Sequence, residues 1–224
     1  MTKERWTAVD RYLTETLIPR DAALDAALRA SVAAGMPPIN VSPTQGKLLM
    51  LLSQLQGAKN ILEIGTLGGY STIWLARGLS PGGRLVTLEA DPKHADVARA
   101  NIAQAGLTDT VELILGRAID SLAHLAARSR GPFDLIFIDA DKASLPDYFN
   151  WSLKLSRPGG VIIIDNVIRD GAVIDAASTD PDVQGVRRMN QVIAAEKRVT
   201  ATAIQTVGSK GYDGFAIARV NAEK

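Results

Sequence analysis

Apolar residues follow two patterns that alternate along most of the chain. Short, nearly continuous apolar runs predict buried strands, and segments with apolar residues at helical spacing predict helices between them. The predicted strands cover residues 61–64, 84–88, 111–115, 133–138 and 161–164. Because strands that are apolar on both faces and alternate with helices form covered parallel sheets, the pattern predicts a mostly parallel α/β fold of the Rossmann-like type.

The last part of the chain departs from this alternation. Residues 166–180 show no periodicity and predict a loop, and residues 181–196 have the spacing of a helix. Two further strands, 199–207 and 215–220, are separated by a short glycine-containing segment. Neighbouring strands with such a connection predict an antiparallel hairpin that finishes the sheet.

The segment before the first strand is predicted to be helical. Apolar spacing predicts one helix over Lys3–Leu17 and a second from Asp21 to about Ala34, and Ser42 is the expected N-cap of a third. We expect a single domain of 224 residues, made of an N-terminal helical extension (1–40) and an α/β core (41–224). The extension has three open roles: to cap the site, to form a dimer surface, or to pack against the core.

Composition narrows the class of protein. Hydrophobic residues make up 46% of the chain, and the net charge of +1 gives no argument for a nucleic-acid partner. The chain has no cysteine, which excludes disulfides, thiolate catalysis and cysteine-ligated zinc. No apolar run approaches the roughly 18 residues that span a bilayer, so we expect a soluble, cytoplasmic protein.

A glycine-rich turn joins the first strand to the next helix. Gly65, Gly68 and Gly69 allow a sharp turn and a close approach to a ligand. Leu67 stands where a dinucleotide fingerprint needs its second glycine, which disfavours a pyrophosphate. A cationic, phosphate-free adenosine cofactor such as S-adenosylmethionine (SAM) fits better, because its ammonium group can meet Glu63. The alternative is an ordinary strand-to-helix turn with a surface glutamate.

Acidic residues end four of the predicted strands. They are Glu63, Glu89, Asp139 and Asp165, and the carboxyl ends of parallel strands share one edge of a sheet. We therefore expect all four in one crevice, where cations would offset their mutual repulsion. Glu89 has the position of an acid that receives ribose hydroxyls. The alternative for Glu89 is a helix N-cap, for which Asp91 is better placed.

Asp139, Asp165 and Asn166 form a set of oxygen ligands. Mg²⁺ takes such ligands and usually keeps positions for water or substrate oxygens, with Mn²⁺ or Ca²⁺ as alternatives. The other interpretation is that these residues cap the following helices. The two histidines, His94 and His124, are expected in structural or surface roles, like Tyr148.

Three motifs then identify a family. Glu63-Ile-Gly-Thr-Leu-Gly-Gly-Tyr-Ser71, Phe137-Ile-Asp-Ala-Asp-Lys142 and Gly160-Val-Ile-Ile-Ile-Asp-Asn166 resemble motifs of the cation-dependent, SAM-dependent O-methyltransferases of the caffeoyl-CoA and catechol type. The resemblance extends from about Ser42 to the C-terminus. It implies a class I methyltransferase fold with a seven-stranded sheet whose last strand is antiparallel.

The resemblance also implies roles for individual residues. Cofactor contacts are implied for Val41, Glu63, Gly65, Thr66, Ser71, Glu89, Ala118 and Asp139, with Glu89 at the ribose and Ala118 beside the adenine. Asp139, Asp165 and Asn166 match the metal ligands, and Asp139 is also placed near the substrate. Lys142 matches a lysine near the acceptor hydroxyl. Asp170 stands where plant members carry a substrate-contacting asparagine, which leaves the acceptor open.

The leading interpretation is a Mg²⁺-dependent methyl transfer from SAM to a hydroxyl of a small catechol-like vicinal diol, by a homodimer without nucleic-acid or membrane partners. Asp139 and Lys142 are the candidate catalytic residues, and Lys142 could act as a base or stabilise the oxyanion. The alternatives are a SAM-dependent enzyme with another acceptor, such as an RNA ribose, and a non-catalytic binding module. A nicotinamide oxidoreductase is the weakest interpretation, because Leu67 breaks the fingerprint.

Overall fold

The computed structural model describes residues 2–222 and contains one mixed sheet. Its strands are β1 (Asn60–Ile64), β2 (Arg84–Glu89), β3 (Val111–Leu115), β4 (Phe133–Ile138), β5 (Ser156–Asp165), β6 (Val199–Gly208) and β7 (Gly211–Val220). The strand order is β3-β2-β1-β4-β5-β7-β6. The strands β1 to β5 pair in parallel, and β7 is antiparallel to both β5 and β6. The predicted Rossmann-like sheet with an antiparallel last strand is confirmed.

Helices cover both faces of this sheet. They are α1 (Lys3–Leu17), α2 (Ala22–Ala33), α3 (Pro43–Leu55), α4 (Tyr70–Arg77), α5 (Pro92–Gln104), α6 (Ala118–Ala127), α7 (Leu145–Leu155) and α8 (Pro181–Ala195). Alternate residues of a strand face opposite sides, so Leu62 of β1 belongs to one apolar cluster and Ile61 to the other. The first cluster includes residues of α6, α7 and α8, and the second includes residues of α2 to α5. The core therefore has two layers, as the continuous apolar strands predicted.

Side-chain caps fix where two helices begin. Asp91 accepts hydrogen bonds from the backbone N–H groups of Lys93 and His94, and Ser42 accepts one from Gln45. Each cap precedes a proline at the first helical position, where the missing N–H is not needed. Asp91, rather than Glu89, is thus the cap of α5, as expected.

Two strands begin earlier than predicted, and the predicted loop contains a short helix. The strand β5 begins at Ser156 rather than residue 161, and β7 begins at Gly211 rather than residue 215. In β7 the pairing with β6 continues through Gly211–Gly214, and in β5 only Ser156 pairs with β4 before a register shift leads to Val161, so an apolar run marks only part of each strand. The loop at 166–180 contains one short 3-10 helix, Ala172–Ile174. Among residues 2–222, no helix is both long and apolar enough to cross a bilayer.

Candidate functional site

The turn after β1 requires glycine at its first position. Gly65 has φ +96, and a Cβ atom there would lie 2.1 Å from the backbone oxygen of Asp139. Leu67 also has a positive φ, of 49°, although it is not glycine. Such a conformation is costly for a residue with a side chain, and the surrounding hydrogen bonds must hold it. The turn conformation therefore depends on glycine at position 65, and it lets the backbone after β1 contact the backbone after β4.

Glu89 supplies the hydrogen bonds that hold this turn. Its Oε2 atom accepts from the backbone N–H groups of Thr66 at 3.2 Å and Leu67 at 2.8 Å. Its Oε1 atom accepts from Ala90 and Asp91, both at 2.9 Å. Glu89 is 9% exposed and faces the turn, as the ribose-binding interpretation requires.

Glu63 corrects one expectation. It is completely buried, and its carboxylate accepts hydrogen bonds from the hydroxyls of Ser71 at 2.7 Å, Thr87 at 2.7 Å and Thr72. Burial raises the pKa of Glu63 to about 7, against the lowering effect of these three hydroxyls. Glu63 faces the side of the sheet that α4 covers, where Ser71 and Thr72 lie, so it lies beneath the turn rather than in the crevice. Ser71, which it holds, does line the crevice.

The crevice beside the turn, which we call the glycine-turn cavity, has a volume of about 500 Å³. Its lining includes most of the residues predicted to contact a cofactor, namely Val41, Gly65, Thr66, Ser71, Glu89, Ala118 and Asp139. They come from the ends of four neighbouring strands and from the segment before α3. The sheet topology thus gathers them as the shared strand edge predicted.

The N-terminal extension closes one side of the glycine-turn cavity. A Cβ atom at Gly68 would lie 2.1 Å from the hydroxyl oxygen of Ser31 on α2, so the missing side chain lets α2 pack on the turn. Asn101 donates a hydrogen bond to the Gly68 carbonyl oxygen at 2.8 Å. Ser31, Ile39 and Asn40 line the cavity, so part of the extension caps the site.

A second crevice, the hairpin cavity, lies beside the first and has a volume of about 730 Å³. Its walls come from α1, α3, the segment after β5 and the turn between β6 and β7. Asn166 and Arg169 line both cavities. The two cavities therefore meet at the segment that follows β5.

Two acidic residues stand at this meeting point. The register pairs Ile138 with Ile164, so Asp139 and Asp165 follow on strands that run about 4.8 Å apart. Burial and then the negative charge of Asp139 raise the pKa of Asp165 to about 7. Asp165 is further held by the side-chain amide of Gln45, whose Nε2 donates at 2.7 Å. This edge carries negative charge that a cation would offset.

One positive charge is already present beside Asp139. Lys142 is 5% exposed, and its Nζ atom lies 3.1 Å from Oδ1 of Asp139. Lys142 and Asp139 line the glycine-turn cavity, whereas Asp165 lines the hairpin cavity. Three of the four strand-end acids, Glu89, Asp139 and Asp165, thus each line one of the two cavities, and Glu63 lines neither.

The donor set at the rim fits a hard divalent cation. In residues 2–222, no group of three or more His, Cys, Asp or Glu side chains is placed to hold a metal. The predicted set combines two carboxylates with the amide oxygen of Asn166, which directly follows Asp165 and has φ +58. Two acids, one amide and free positions for other oxygens are the chemistry that Mg²⁺ accepts.

Asp170 lies in the segment that divides the two cavities. Asp170 lines the hairpin cavity. Both Asp170 and Arg169 have a backbone φ of +55. Asp213 fixes this strained backbone by accepting hydrogen bonds from the N–H groups of Ile168 at 2.9 Å and Arg169 at 3.1 Å. The Arg169 guanidinium pairs with Asp182 at 3.2 Å.

Several lining residues were not predicted from the sequence. His94 and Tyr148 line the glycine-turn cavity although structural roles were expected for them, and Gln45 reaches Asp165 from α3. His94 follows the Asp91 cap closely, so its Nδ1 atom comes 3.8 Å from Glu89. The short separation of His94 from Glu89 along the chain was the only sequence signal that His94 would line the cavity. Tyr148 gave none, because its apolar ring fits a core position equally well.

Comparison with known proteins gives consistent matches over nearly the whole chain. The family model described as O-methyltransferase matches residues 16–219. A catechol O-methyltransferase of Niastella koreensis is 56% identical over 220 residues, which cover 98% of this chain and 100% of the relative.

Solved structures agree with this match. The O-methyltransferase from Bacillus cereus, in complex with SAH, is 63% identical with a TM-score of 0.97, covering 98% of this chain and 100% of its own. The O-methyltransferase TomG from Streptomyces achromogenes, involved in tomaymycin synthesis and solved with SAM, is 50% identical with a TM-score of 0.96. That alignment covers 99% of this chain and 100% of TomG.

Proposed function

The chain belongs to the O-methyltransferase family, and on that premise we propose that it methylates one hydroxyl of a small catechol-like vicinal diol with the help of a divalent cation. It is a SAM-dependent O-methyltransferase. The observation that carries the finer proposal is that Asp139 lines one cavity, Asp165 lines the other and Asn166 lines both. A methyl donor in one cavity and a diol in the other would face each other across these oxygen ligands.

The glycine-turn cavity is the proposed cofactor site. When bound, SAM supplies an electrophilic methyl group, which bonds to the acceptor oxygen as its bond to sulfur breaks and a neutral thioether leaves. Thr66, Ser71 and Val41 would line the amino-acid part, and Glu89 would accept the ribose hydroxyls. In this proposal Glu63 does not contact the cofactor itself. Its buried carboxylate instead positions the Ser71 hydroxyl, which does.

Asp139, Asp165 and Asn166 are the proposed ligands of Mg²⁺, with Mn²⁺ or Ca²⁺ able to take the same oxygen set. A bound cation would orient two neighbouring oxygens and lower the pKa of the hydroxyl that it holds, so that this hydroxyl would lose its proton to solvent and take the methyl group as an oxyanion. Burial of Asp165 beside the charged Asp139 supports this assignment, because two close carboxylates need a positive partner.

Lys142 is the proposed electrostatic partner of the reacting oxygen. Its ammonium group lies 3.1 Å from Asp139 in a nearly closed environment, where water screens charge weakly. We assign it stabilisation of the developing oxyanion, because its ammonium group lies beside the Asp139 carboxylate and lines the cavity of the proposed methyl donor. Asp139 would then hold both Lys142 and the cation in place.

The hairpin cavity is the proposed acceptor site. Its walls carry aromatic and aliphatic side chains, among them Trp6, Leu48, Tyr212 and Phe215, which suit a flat phenolic ring. Asp170 lies in the same wall and would contact ring substituents. The similarity to a catechol O-methyltransferase supports the same class of acceptor.

The test is a methylation assay with SAM carrying a labelled methyl group. Catechol, hydroxycinnamoyl thioesters and flavonoids with vicinal hydroxyls are compared with monohydric phenols of the same size and with RNA. We expect label transfer to vicinal diols and at least about tenfold less to monohydric phenols, because only a diol offers two oxygens to one cation. Equal transfer to diols and monohydric phenols, or transfer to RNA alone, would contradict the proposed acceptor.

A homodimer stays a prediction. The helix α1 buries none of its residues completely, and Val9, Tyr12 and Leu17 are at least half exposed, at 50%, 65% and 65%. We propose that a second copy covers this apolar side of α1. Light scattering should then give a mass of twice 23.9 kDa, and a mass of one chain would contradict the dimer.

A further inference from the structure

Gln45 makes a long-range contact that its position in α3 does not require. It is the third residue of α3, after the Ser42 cap, and a glutamine there can turn back to the backbone N–H of the cap in a capping box. In residues 2–222 its side chain instead crosses to the end of β5, where Nε2 donates to Oδ2 of Asp165 at 2.7 Å. The amide group therefore supports Asp165 rather than its own helix.

The first turn of α3 holds Gln45 in a fixed place. The Ser42 hydroxyl accepts a hydrogen bond from the Gln45 N–H at 3.2 Å, and the Ser42 carbonyl oxygen accepts one from the Gly46 N–H at 2.8 Å. A Cβ atom at Gly46 would lie 2.3 Å from Cδ1 of Trp74, so this turn packs directly on α4. The amide is thus presented to Asp165 from a backbone that has little freedom to shift.

The Asp165 carboxylate is held on both of its oxygens. Gln45 donates to Oδ2, and the backbone N–H of Asn166 donates to Oδ1 at 2.9 Å. Asp165 is 4% exposed, so these donors replace water that the buried group has lost. A carboxylate has about four lone-pair sites, which leaves about two of them for a cation. Two donors on different oxygens therefore fix the carboxylate before any cation binds.

The charge of the supporting donor differs between the two acids at this edge of the sheet. Asp139 is held by the ammonium group of Lys142 at 3.1 Å, which offsets its negative charge. Asp165 is held by a neutral amide and a backbone N–H, which leave its charge intact. Because charges interact strongly where water is excluded, a neutral donor can orient a carboxylate without competing with a divalent ion.

We infer that Gln45 is a positioning residue for the divalent cation, because it orients the Asp165 carboxylate as a ligand and preserves its charge. Partners that hold a ligand without touching the metal contribute about ten- to a hundredfold to metal affinity. The inference rests on the cation site that we propose above, and it extends that site to α3.

A structural tie between α3 and β5 is the competing role of this contact. Loss of such a tie would lower the free energy of unfolding, but the folded molecules would bind a cation as before. Metal affinity of the folded protein therefore separates the two roles. Cofactor affinity reports on folding independently, because Gln45 lines the hairpin cavity and not the glycine-turn cavity.

The experiment titrates Mn²⁺ by calorimetry into the full chain with S-adenosylhomocysteine bound. Mn²⁺ takes carboxylate and amide oxygens, as Mg²⁺ does. In Gln45→Met, which has a side chain of similar length but no N–H, the Kd for Mn²⁺ should rise by at least about tenfold. The Mn²⁺ concentration that gives half-maximal methyl transfer should rise by the same factor, while affinity for S-adenosylhomocysteine should not change. Gln54→Met, exposed on the same helix, is the matched control and should alter none of these values.

A folded Gln45→Met variant that binds Mn²⁺ within about threefold of the unmodified protein would overturn the inference. If this variant does not fold, Gln45→Asn decides by the same criterion, because its amide is one methylene shorter and draws back from Asp165.

Asp165→Asn separates this inference from the cation site itself. Loss of Mn²⁺ binding in Asp165→Asn together with normal binding in Gln45→Met would overturn only the role of Gln45. Normal Mn²⁺ binding in Asp165→Asn would overturn the cation site, and the inference about Gln45 would fall with it.

Discussion

The two cavities are built from different kinds of sequence. The glycine-turn cavity is lined largely by residues at the ends of β1 to β4, and its turn is held by backbone and carboxylate hydrogen bonds. The hairpin cavity is assembled from α1, the segment after β5 and the turn between β6 and β7, which are far apart along the chain.

This difference indicates which of the two sites is fixed by the fold and which can vary. Strand ends are placed by the sheet, so a cofactor site built on them is fixed by the fold. Segments outside the parallel sheet can change length and side chains without disturbing it, so they are suited to set the acceptor. Changes in the first region should affect every acceptor equally, whereas changes in the second should affect the acceptor alone.

The largest expected effect is that of Gly65→Ala. The added Cβ would lie 2.1 Å from the Asp139 carbonyl oxygen at a φ of +96, which we expect to cost about 3 kcal/mol or more in stability. S-adenosylhomocysteine should bind at least about a hundredfold more weakly in calorimetry. Gly82→Ala is the control: it has φ +75 but nothing within 4 Å, so binding should be retained. Normal binding by Gly65→Ala would refute the close packing of this turn.

Glu63→Gln tests the buried support of the cofactor side. The folded pKa of about 7 lies above the ordinary value of 4.5, so the protonated carboxyl contributes stability below pH 4.5 that is lost as the pH rises to 7. The free energy of unfolding of the unmodified protein, relative to Glu63→Gln, should fall by up to about 3 kcal/mol over this range. Urea unfolding at several pH values measures it, with Glu112→Gln at an exposed position as control. A constant difference across this range would show that Glu63 does not titrate as described.

Lys142→Met tests the boundary between the cavities. Loss of the ammonium group beside Asp139 should lower kcat by about a hundredfold, since one electrostatic partner of a developing charge is removed. Cofactor affinity should change by less than about threefold, because Lys142 is not among the residues proposed to contact the cofactor. Steady-state kinetics and calorimetry check the two numbers, and Lys154→Met on the exposed side of α7 is the control. An unchanged kcat would remove Lys142 from the mechanism.

Asp10→Asn has the smallest expected effect and is confined to the acceptor side. Asp10 of α1 accepts from the backbone N–H of Ser209 at 2.7 Å and from its hydroxyl at 2.9 Å, which ties α1 to the hairpin turn. Weakening this contact should raise KM for the diol by about threefold and leave cofactor affinity unchanged. Glu15→Gln, exposed on the same helix, should change neither. An equal loss of cofactor affinity would contradict the independence of the two cavities.

The sequence predicted the cofactor side better than the acceptor side for a physical reason. The glycine turn, the Asp91 cap and the strand-end acids are local signals, and a parallel sheet brings strand ends together whatever the loops do. Glu63 was placed at the correct strand end but on the wrong side, because only the packed layers determine which face of a strand is covered.

The residues that escaped prediction depend on contacts between distant segments. Gln45 reaches Asp165 across 120 positions, and Lys210 reaches the Pro38 carbonyl oxygen across 172. The strained backbone at Arg169 is held by Asp213, which follows 44 positions later. No local pattern marks such pairs, so the shape of the hairpin cavity could not be predicted.

The central claim is that a divalent cation joins the two cavities at Asp139, Asp165 and Asn166. The most direct measurement is methyl transfer from SAM to catechol by protein treated with a chelator, before and after Mg²⁺ is added back. We predict that treatment lowers turnover by at least about a hundredfold and that Mg²⁺ restores it, while S-adenosylhomocysteine still binds the treated protein. Turnover that is the same with and without chelator would contradict the claim.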